Sequence, residues 1–529
     1  GVTEWGLQPF TPLGFVPTGK DLLADWTGNG LRVKLFSPKC QPRGVYHLPL
    51  VGRATVGDVH LQAVNVIVDV FQEDGAGKVT KRGELRLTRG LGSLLLEGLE
   101  DTPKKSDDGD KFFQLHFRVN NMGSGSLTIP VCNMDQQEHL PPTISKQTAS
   151  FPVSSILQVG SKGLSIQDRG SLELCGDSYL LMASAAMIRL SRGGSMTIRP
   201  CSGSMPVVIL AAKREAPWAG IYVEGKGSEL LLQFAMLVLS GASLPGHRGS
   251  GLGHRDETAV IHAQKNALVR MKSVYLFDGK GQAIVAKDSR VDVTDSLVKR
   301  FTCGLQILDV NASIESSVFH GFPGIPGKEH EDSDHDAMYI VGGNVSIIKS
   351  AVGDAMDDCI DSGTGPGGSL LIKESWVESC FHEGVALSDN GWGISKNVRI
   401  ERSVIRDNQQ GIELGFSTHF HTVDVRSSLI IENQIGLRIG DNYGWATEGI
   451  LRCDGCIFAN NSEGIKNLHA GNFRSMPEQI VMAGSVIQPG DVLERHYQPD
   501  NIRLNVNAIL QSPMSGWIRP VVTSAYTPD

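Results

Sequence analysis

Asn397-Val-Arg-Ile-Glu-Arg-Ser-Val-Ile-Arg-Asp-Asn-Gln-Gln-Gly-Ile-Glu-Leu414 repeats the plan of Ser369-Leu-Leu-Ile-Lys-Glu-Ser-Trp-Val-Glu-Ser-Cys-Phe-His-Glu-Gly-Val-Ala-Leu387. Each unit reads as a strand, a Ser-containing corner, an apolar pair, a polar corner, a small residue and a second apolar strand. Thr422–Ile439 follows the same plan, as do the segments that open at Ala267, Arg290, Asn311 and Asn344. Anchoring on the small residue gives Ala283, Gly304, Ala337, Cys359, Gly384, Gly411, Gly436 and Gly464, spaced by 21, 33, 22, 25, 27, 25 and 28 residues. A unit of this length cannot bury its apolar face alone and has to stack on its neighbours. There is neither the Leu/Asn signature nor the helical return of a leucine-rich repeat, so a parallel β-helix is expected over 151–487. The 33-residue interval contains about a dozen extra residues, Phe322–Asp334, and insertions of this kind emerge as loops on one face of a solenoid, often the binding face.

Outward from the repeat the texture changes on both sides. Residues 1–150 hold alternating runs at Val59–Val70, Gly83–Leu87 and Phe112–Val119, broken by turn residues such as Glu73-Asp74-Gly75. Half-exposed antiparallel strands have that pattern, which predicts a β-sandwich-like N-terminal domain. A polar, Pro-containing stretch around Gln136–Ser150 reads as the link between the two domains. Residues 488–529 lose the repeat and carry five prolines, as expected of a C-terminal cap over the open end of the solenoid. Composition agrees with an all-β chain: 61 Gly and 24 Pro among 529 residues, with 6% aromatics, favour many short elements and turns.

Charge and hydropathy exclude some partners. A net charge of −8 and the lack of a Lys/Arg run argue against nucleic acid. The longest apolar stretches, Leu230–Leu239 and Tyr179–Leu190, fall short of the roughly 20 residues of a membrane span. The chain opens at Gly1 without a charged-then-apolar leader, which fits a processed chain. Nine scattered cysteines are few for a disulfide scaffold, and Cys453-x-x-Cys456 lacks the second pair that a zinc site needs, so core cysteines or a local disulfide are expected there. Asn311, Asn344 and Asn460 open Asn-x-Ser triplets, acceptors for glycosylation in a secreted glycoprotein.

Stacking also predicts side-chain neighbours, because equivalent residues of successive coils lie about 4.8 Å apart. The column just before the anchor runs Gln282, Cys303, Asp336, Asp358, Glu383, Gln410, Ile435, Glu463. The column before it runs Gly281, Thr302, His335, Asp357, His382, Gln409, Gln434, Ser462, and Asp361 falls in register with Tyr339, Ala386 and Glu413. Three consecutive coils thus gather His335, Asp336, Asp357, Asp358, Asp361, His382 and Glu383, where neighbouring coils carry mainly neutral residues. A single Asp at such a corner reads as a turn residue. Stacked carboxylates instead repel, raise one another's pKa and need a proton, cation or substrate to offset them, which marks a candidate site. Calcium held by Asp334, Asp336, Asp358 and Asp361 is one reading, since hard cations take carboxylate oxygens. Acid–base catalysis by stacked carboxylates is another, because carboxyl pairs one or two coils apart fall near the separations that glycosidases use. Trp376 and Trp392, with His419 and His421 on a following turn, are candidates for sugar stacking. Lys373, Lys396, Arg399, Arg402 and Arg406 read as a solvated outer face.

In this region the chain resembles the polygalacturonase-type glycoside hydrolases, within the pectin-lyase-like group of right-handed parallel β-helix repeat proteins. That family carries an Asp in Asn-Thr-Asp-Gly, an Asp-Asp-Cys one coil on, a His-Gly after another coil, then Arg-x-Lys. Here Asp336 stands in His-Asp-Ala, Asp357-Asp358-Cys359 follows 21 to 23 residues later, and His382-Glu383-Gly384 comes one coil further. Arg438-Ile439-Gly440 stands in the place of the basic motif without its Lys, and the resemblance covers about 100 residues. It implies a general acid at Asp357, water activation by Asp336 and Asp358, and an orienting role for His382. The chain also resembles β-helix polysaccharide lyases, in which Lys or Arg acts as base and calcium neutralises a uronate. The reading from sequence is therefore a secreted or cell-surface polysaccharide-active hydrolase or lyase using Asp336, Asp357, Asp358, His382, Glu383 and Arg438. Its rival is a non-catalytic structural, adhesive or glycan-binding β-helix within an extracellular or oligomeric assembly, stabilised by calcium.

Overall fold

A computed structural model describes, with short gaps, residues 22–132 and 137–487; within the solenoid the gaps are 202–205, 214–215, 242–256, 324–333, 389–395, 416–421, 440–449, 468–479 and 484. The C-terminal cap expected at 488–529 lies outside the described residues.

The N-terminal strands form two sheets. Leu22–Asp25, Leu31–Phe36, Leu48–Val56 and Leu91–Leu96 pair antiparallel in one. Val66–Glu73, Val79–Leu87, Lys111–Val119 and Gly123–Cys132 pair antiparallel in the other, with Gln41–Pro42 added in parallel. Val66–Glu73 alternates buried and half-buried side chains along its length, as a strand with one face on a core must. Val33, Leu35 and Leu50 of the first sheet meet Val68, Leu85 and Phe117 of the second in one apolar cluster. The expected sandwich is what forms.

From Gln137–His139 to Val486–Ile487 thirty-six strands form one network in which each strand pairs in parallel with an equivalent strand of the next coil. Every coil contributes three strand columns. A first column contains Val318–Phe322, Ala351–Ala355, Trp376–Glu378 and Val404–Arg406. The second contains Leu305–Leu308, Glu383–Ser388, Gln410–Gly415 and Ile435–Ile439, together with the opening residues of Met338–Ile348 and Ile360–Lys373. The third contains Asn311–Glu315, Asn397–Glu401 and Thr422–Arg426. The solenoid starts earlier than the repeat implies. Gln137–His139, Thr143–Ser145 and Thr148–Phe151 pair with Ile156–Val159, Leu164–Gln167 and Ser171–Cys175, so the expected link is the first coil. That coil has a neighbour on one side only, and its polar, proline-interrupted strands hide the repeat.

A serine ladder holds one corner. Between the third and first columns, the backbone N–H groups of Ser317, Ser350, Ser375 and Ser403 donate to Oγ of Ser350, Ser375, Ser403 and Ser428, each at 3.2 Å. Each residue before the serine, such as Lys349, Glu374 and Arg402, takes a left-handed conformation that turns the chain. Cys456 occupies this ladder position and its N–H donates to Ser485 Oγ at 3.0 Å, while Cys453 lies in the core. The Cys453/Cys456 pair is thus structural and unbridged. Six of the other cysteines form disulfides, Cys40–Cys132, Cys175–Cys201 and Cys359–Cys380, more cross-linking than their scatter in the chain suggests.

The outer face of the first column is apolar. Tyr179, Leu181, Val208, Leu210 and Met236 share a cluster with Val45, Val51 and Cys132 of the sandwich, and further along the column Trp376 belongs to the same cluster. Trp376 is 5% exposed, with the Arg406 guanidinium 5.1 Å from its ring centre, so it packs and does not present a sugar platform.

Candidate active site

The acidic coils meet at the corner between the first and second columns. The pairings Tyr339↔Asp361, Asp361↔Ala386, Ala386↔Glu413 and Glu413↔Arg438 reproduce the register expected from the repeat, as do Glu383↔Gln410 and Gln410↔Ile435. Carboxylates here replace the neutral groups that satisfy backbone donors elsewhere. The Asp358 N–H donates to Asp336 Oδ1 at 3.2 Å, the Glu383 N–H to Asp358 Oδ1 at 2.8 Å and the Asp334 N–H to Asp357 Oδ2 at 2.8 Å. Each side chain is therefore fixed by the coil that follows or precedes it.

Around this ladder charges are paired. His382 Nδ1 lies 2.5 Å from Glu383 Oε2, 3.5 Å from Asp357 Oδ1 and 3.6 Å from Asp358 Oδ1. Arg438 Nη1 lies 3.2 Å from Glu383 Oε1, and its Nη2 contacts Glu413. Glu413, in register with Asp361 by the repeat but without a role expected of it, holds the arginine that reaches back to Glu383. The signal is present in the sequence: Glu413 and Arg438 occupy one column on adjacent coils.

The environments drive the two acids apart. Burial, then the negative charge of Glu383 and a hydrogen bond to it, push the Asp358 carboxyl well above the usual carboxylate range, with Asp357 and Asp336 adding to the push. Burial alone would raise Glu383 as well, but the hydrogen bonds from Asp358 and His382 and the nearby Arg438 hold it low. The two buried carboxyls titrate as a pair, with Asp358 driven up and Glu383 held low. Burial favours neutral His382, yet its hydrogen bonds to Asp357 and Glu383 outweigh that and bring it to about 10, an imidazolium at neutral pH. Asp336 and Glu383 are each 1% exposed, whereas the His382 side chain is 31% exposed and those of Asp357 and Asp358 show an edge. The ladder thus runs from a buried floor, Asp336 and Glu383, to His382 at the rim.

The expected calcium set does not converge. Among the described residues the acids and histidines close enough to share an ion are Asp357, Asp358 and His382, with ligand atoms within 4.8 Å of one another. Asp334 contributes its backbone N–H, and Asp361 lies beside the Lys396 ammonium. A trio with an imidazole nitrogen and a cationic histidine does not fit the all-oxygen shell of calcium. Lys396 also departs from expectation. It is 3% exposed, donates to Ser362 Oγ at 2.7 Å and is lowered to about 8 by burial, so it is no part of a solvated face. Arg399 is exposed as expected. Trp392, His419 and His421 lie outside the described residues. The sequon asparagines Asn311, Asn344 and Asn460 are exposed, and Asn344 Nδ2 donates to Asn311 Oδ1 at 3.1 Å.

No family model matches the chain, and no curated protein matches it in sequence. Solved structures do. The A-module of the Azotobacter vinelandii mannuronan C-5 epimerase AlgE4 is 14% identical with a TM-score of 0.29, over 64% of this chain and 89% of that one. The catalytic domain of a GH87 α-1,3-glucanase in complex with nigerose is 9% identical with a TM-score of 0.27, over 86% and 91%. An alginate lyase from Paenibacillus sp. str. FPU-7 is 11% identical with a TM-score of 0.21, over 59% and 93%. Likenesses at this level carry no argument about activity. The parallel β-helix stands on the strand pairing of this chain itself, and it agrees with the pectin-lyase-like resemblance of the sequence.

Proposed function

We propose that this chain is a polysaccharide-active enzyme, a glycoside hydrolase with Asp358 as general acid. The observation that carries the reading is the split pair: Asp358, its carboxyl driven up by burial and by Glu383, beside a Glu383 held low and 2.5 Å from His382, which reaches solvent. Two carboxyls whose surroundings drive their pKa values apart are the arrangement that acid-catalysed glycosidic cleavage needs. Asp358 donates its proton to the glycosidic oxygen as the carbon–oxygen bond breaks. Asp357, with an oxygen near His382 Nδ1, accepts the proton of the attacking water. Glu383, held by Arg438, stays anionic throughout, and the proton that Asp357 has taken returns to Asp358 through solvent to restore the acid. This assignment exchanges the roles of Asp357 and Asp358 that the family resemblance implies, because burial and Glu383 drive the Asp358 carboxyl upward. The imidazolium at the rim suits an anionic glycan, and a lyase would use the same cation to neutralise a uronate. Three disulfides and exposed sequons support a secreted or surface location.

A second reading has its own observation. The acid oxygens accept backbone N–H groups of adjacent coils, as a structural ladder would, which favours a non-catalytic adhesive or glycan-binding β-helix. Replacing Asp358 by Asn separates the two. On a panel of acidic and neutral polysaccharides, turnover is expected to fall by about 10²–10⁴-fold. Undiminished turnover in Asp358→Asn, or glycan binding without any turnover in the native chain, decides against the hydrolase.

A further inference from the structure

Where the small anchor residue of one coil meets the corner of the next, the later coils repeat a single contact. A Cβ placed on Gly384 would lie 2.8 Å from Asn408 Nδ2, one on Gly411 3.0 Å from Asn433 Nδ2, and one on Gly436 2.8 Å from Asn461 Nδ2. The anchor is glycine there because the asparagine of the following coil fills the space of a side chain. One coil step earlier the same contact is covalent. Cys359 is the anchor and Cys380 the corner residue, with Cα atoms 5.5 Å apart and a disulfide between them. Cys380 shares the register of the asparagines: its N–H donates to Asn408 Oδ1 at 3.0 Å, as the Asn408 N–H does to Asn433 Oδ1 at 3.1 Å. Both cysteines are buried. Of the other two bridges, Cys40–Cys132 belongs to the sandwich and Cys175–Cys201 starts from the end of a third-column strand, Ser171–Cys175.

The bridge lies within the acid cluster. Cys359 follows Asp358, and Cys380 stands two residues before His382. It therefore joins the coil of Asp357 and Asp358 to the coil of His382 and Glu383, the step across which the two carboxyls of the split pair meet. The charge of Glu383 works against ionisation of Asp358, so two ionised groups here would push the corners apart. Hydrogen bonds already tie this step, the Cys359 N–H donating to Glu383 O at 2.8 Å and the His382 N–H to Asp357 O at 3.2 Å. The steps that follow stand on such bonds and on asparagine, so coil stacking by itself does not call for a covalent link.

Building on the hydrolase reading, we infer that the Cys359–Cys380 disulfide is a positioning element of the active site, which holds the Asp358 carboxyl against that of Glu383. It acts through these two acids and touches no substrate. A cross-link that closes 21 residues of chain keeps the two corners from parting, and small displacements of a catalytic group are costly in rate. With the link cut, the acids separate, Glu383 acts less on Asp358, and the Asp358 carboxyl falls toward its ordinary value. The general acid is then lost at lower pH.

Two double variants of the full chain test this. Cys359→Ala with Cys380→Ala removes the link, and Cys359→Gly with Cys380→Asn replaces it by the contact that the later coils use. In both, kcat is expected to fall about tenfold or more with KM within about twofold of native, and the basic limb of the pH–rate profile to move to lower pH. Infrared titration is expected to show Asp358 ionising at lower pH in step with that limb. The Gly/Asn pair decides, because it restores the structural contact without the link. Native kcat and a native pH profile in that pair overturn the positioning role, and failure of both pairs to fold marks the bridge as structural and overturns it as well. The hydrolase reading fails separately: a native chain without turnover defeats it, while the infrared shift of Asp358 still reports whether the bridge positions the acids.

Discussion

The corner between the first and second columns is built in two ways along one solenoid. Past Val404 it is held by asparagines: the Asn408 N–H donates to Asn433 Oδ1 at 3.1 Å, and the Asn433 N–H to Asn461 Oδ1 at 3.0 Å. All three asparagines are 3% exposed or less. In the preceding coils that position is filled by Phe322, Ala355 and Cys380, and the acceptors are instead the carboxylates of Asp336 and Asp358, further along the same corners. Backbone donors are satisfied in both halves. The neutral amide does the structural task without a buried charge, so the carboxylates and their counter-ions His382 and Arg438 exceed what the fold requires. Surplus ionisable groups of this kind point to chemistry.

If the two halves differ in this way, perturbing them should have different consequences. Replacing Arg438 by Met strips the buried Glu383 and Glu413 carboxylates of their partner and is expected to destabilise the chain by about 3–5 kcal/mol in denaturant unfolding. Glu383 would also rise, so the stability its ionisation supplies above its unfolded value near 4.5 is lost at higher pH than in the native chain. A loss under about 1 kcal/mol would mean that the charge network is solvated after all. In the neutral half, Asn433→Ala leaves the Asn408 N–H and the Ile405 carbonyl short of a partner. The expected loss is about 1–3 kcal/mol with turnover unchanged. A catalytic defect in Asn433→Ala that is not explained by unfolding would erase the contrast.

Much of this contrast is legible in the amino-acid sequence alone. The repeat anchors place Asp336, Asp358 and Glu383 in one column, and Asp361, Ala386 and Glu413 in another, because a parallel stack translates sequence register directly into space. Directions of side chains are less accessible. Trp376 looks like a sugar platform in sequence, but whether an outer face is open depends on what packs over it, here a cluster that continues to the N-terminal sandwich. Lys396 reads as a surface cation, and its burial beside Ser362 follows from the end of a coil rather than from strand alternation. The start of the solenoid is hidden because a terminal coil has one neighbour and loses the apolar signature.

The central claim is that Asp358 keeps its proton over a Glu383 carboxylate. Its folded pKa lies well above the ordinary 3.8, so the folded chain binds the extra proton between those values, and its contribution to stability is present at low pH and lost as pH rises through the folded pKa. Infrared difference titration of the native chain and Asp358→Asn reads the proton directly. A carboxylic-acid carbonyl band that survives near neutral pH in the native chain and vanishes in Asp358→Asn is the predicted result. Complete ionisation of every carboxyl by about pH 5–6, with identical spectra for the two proteins, would contradict it.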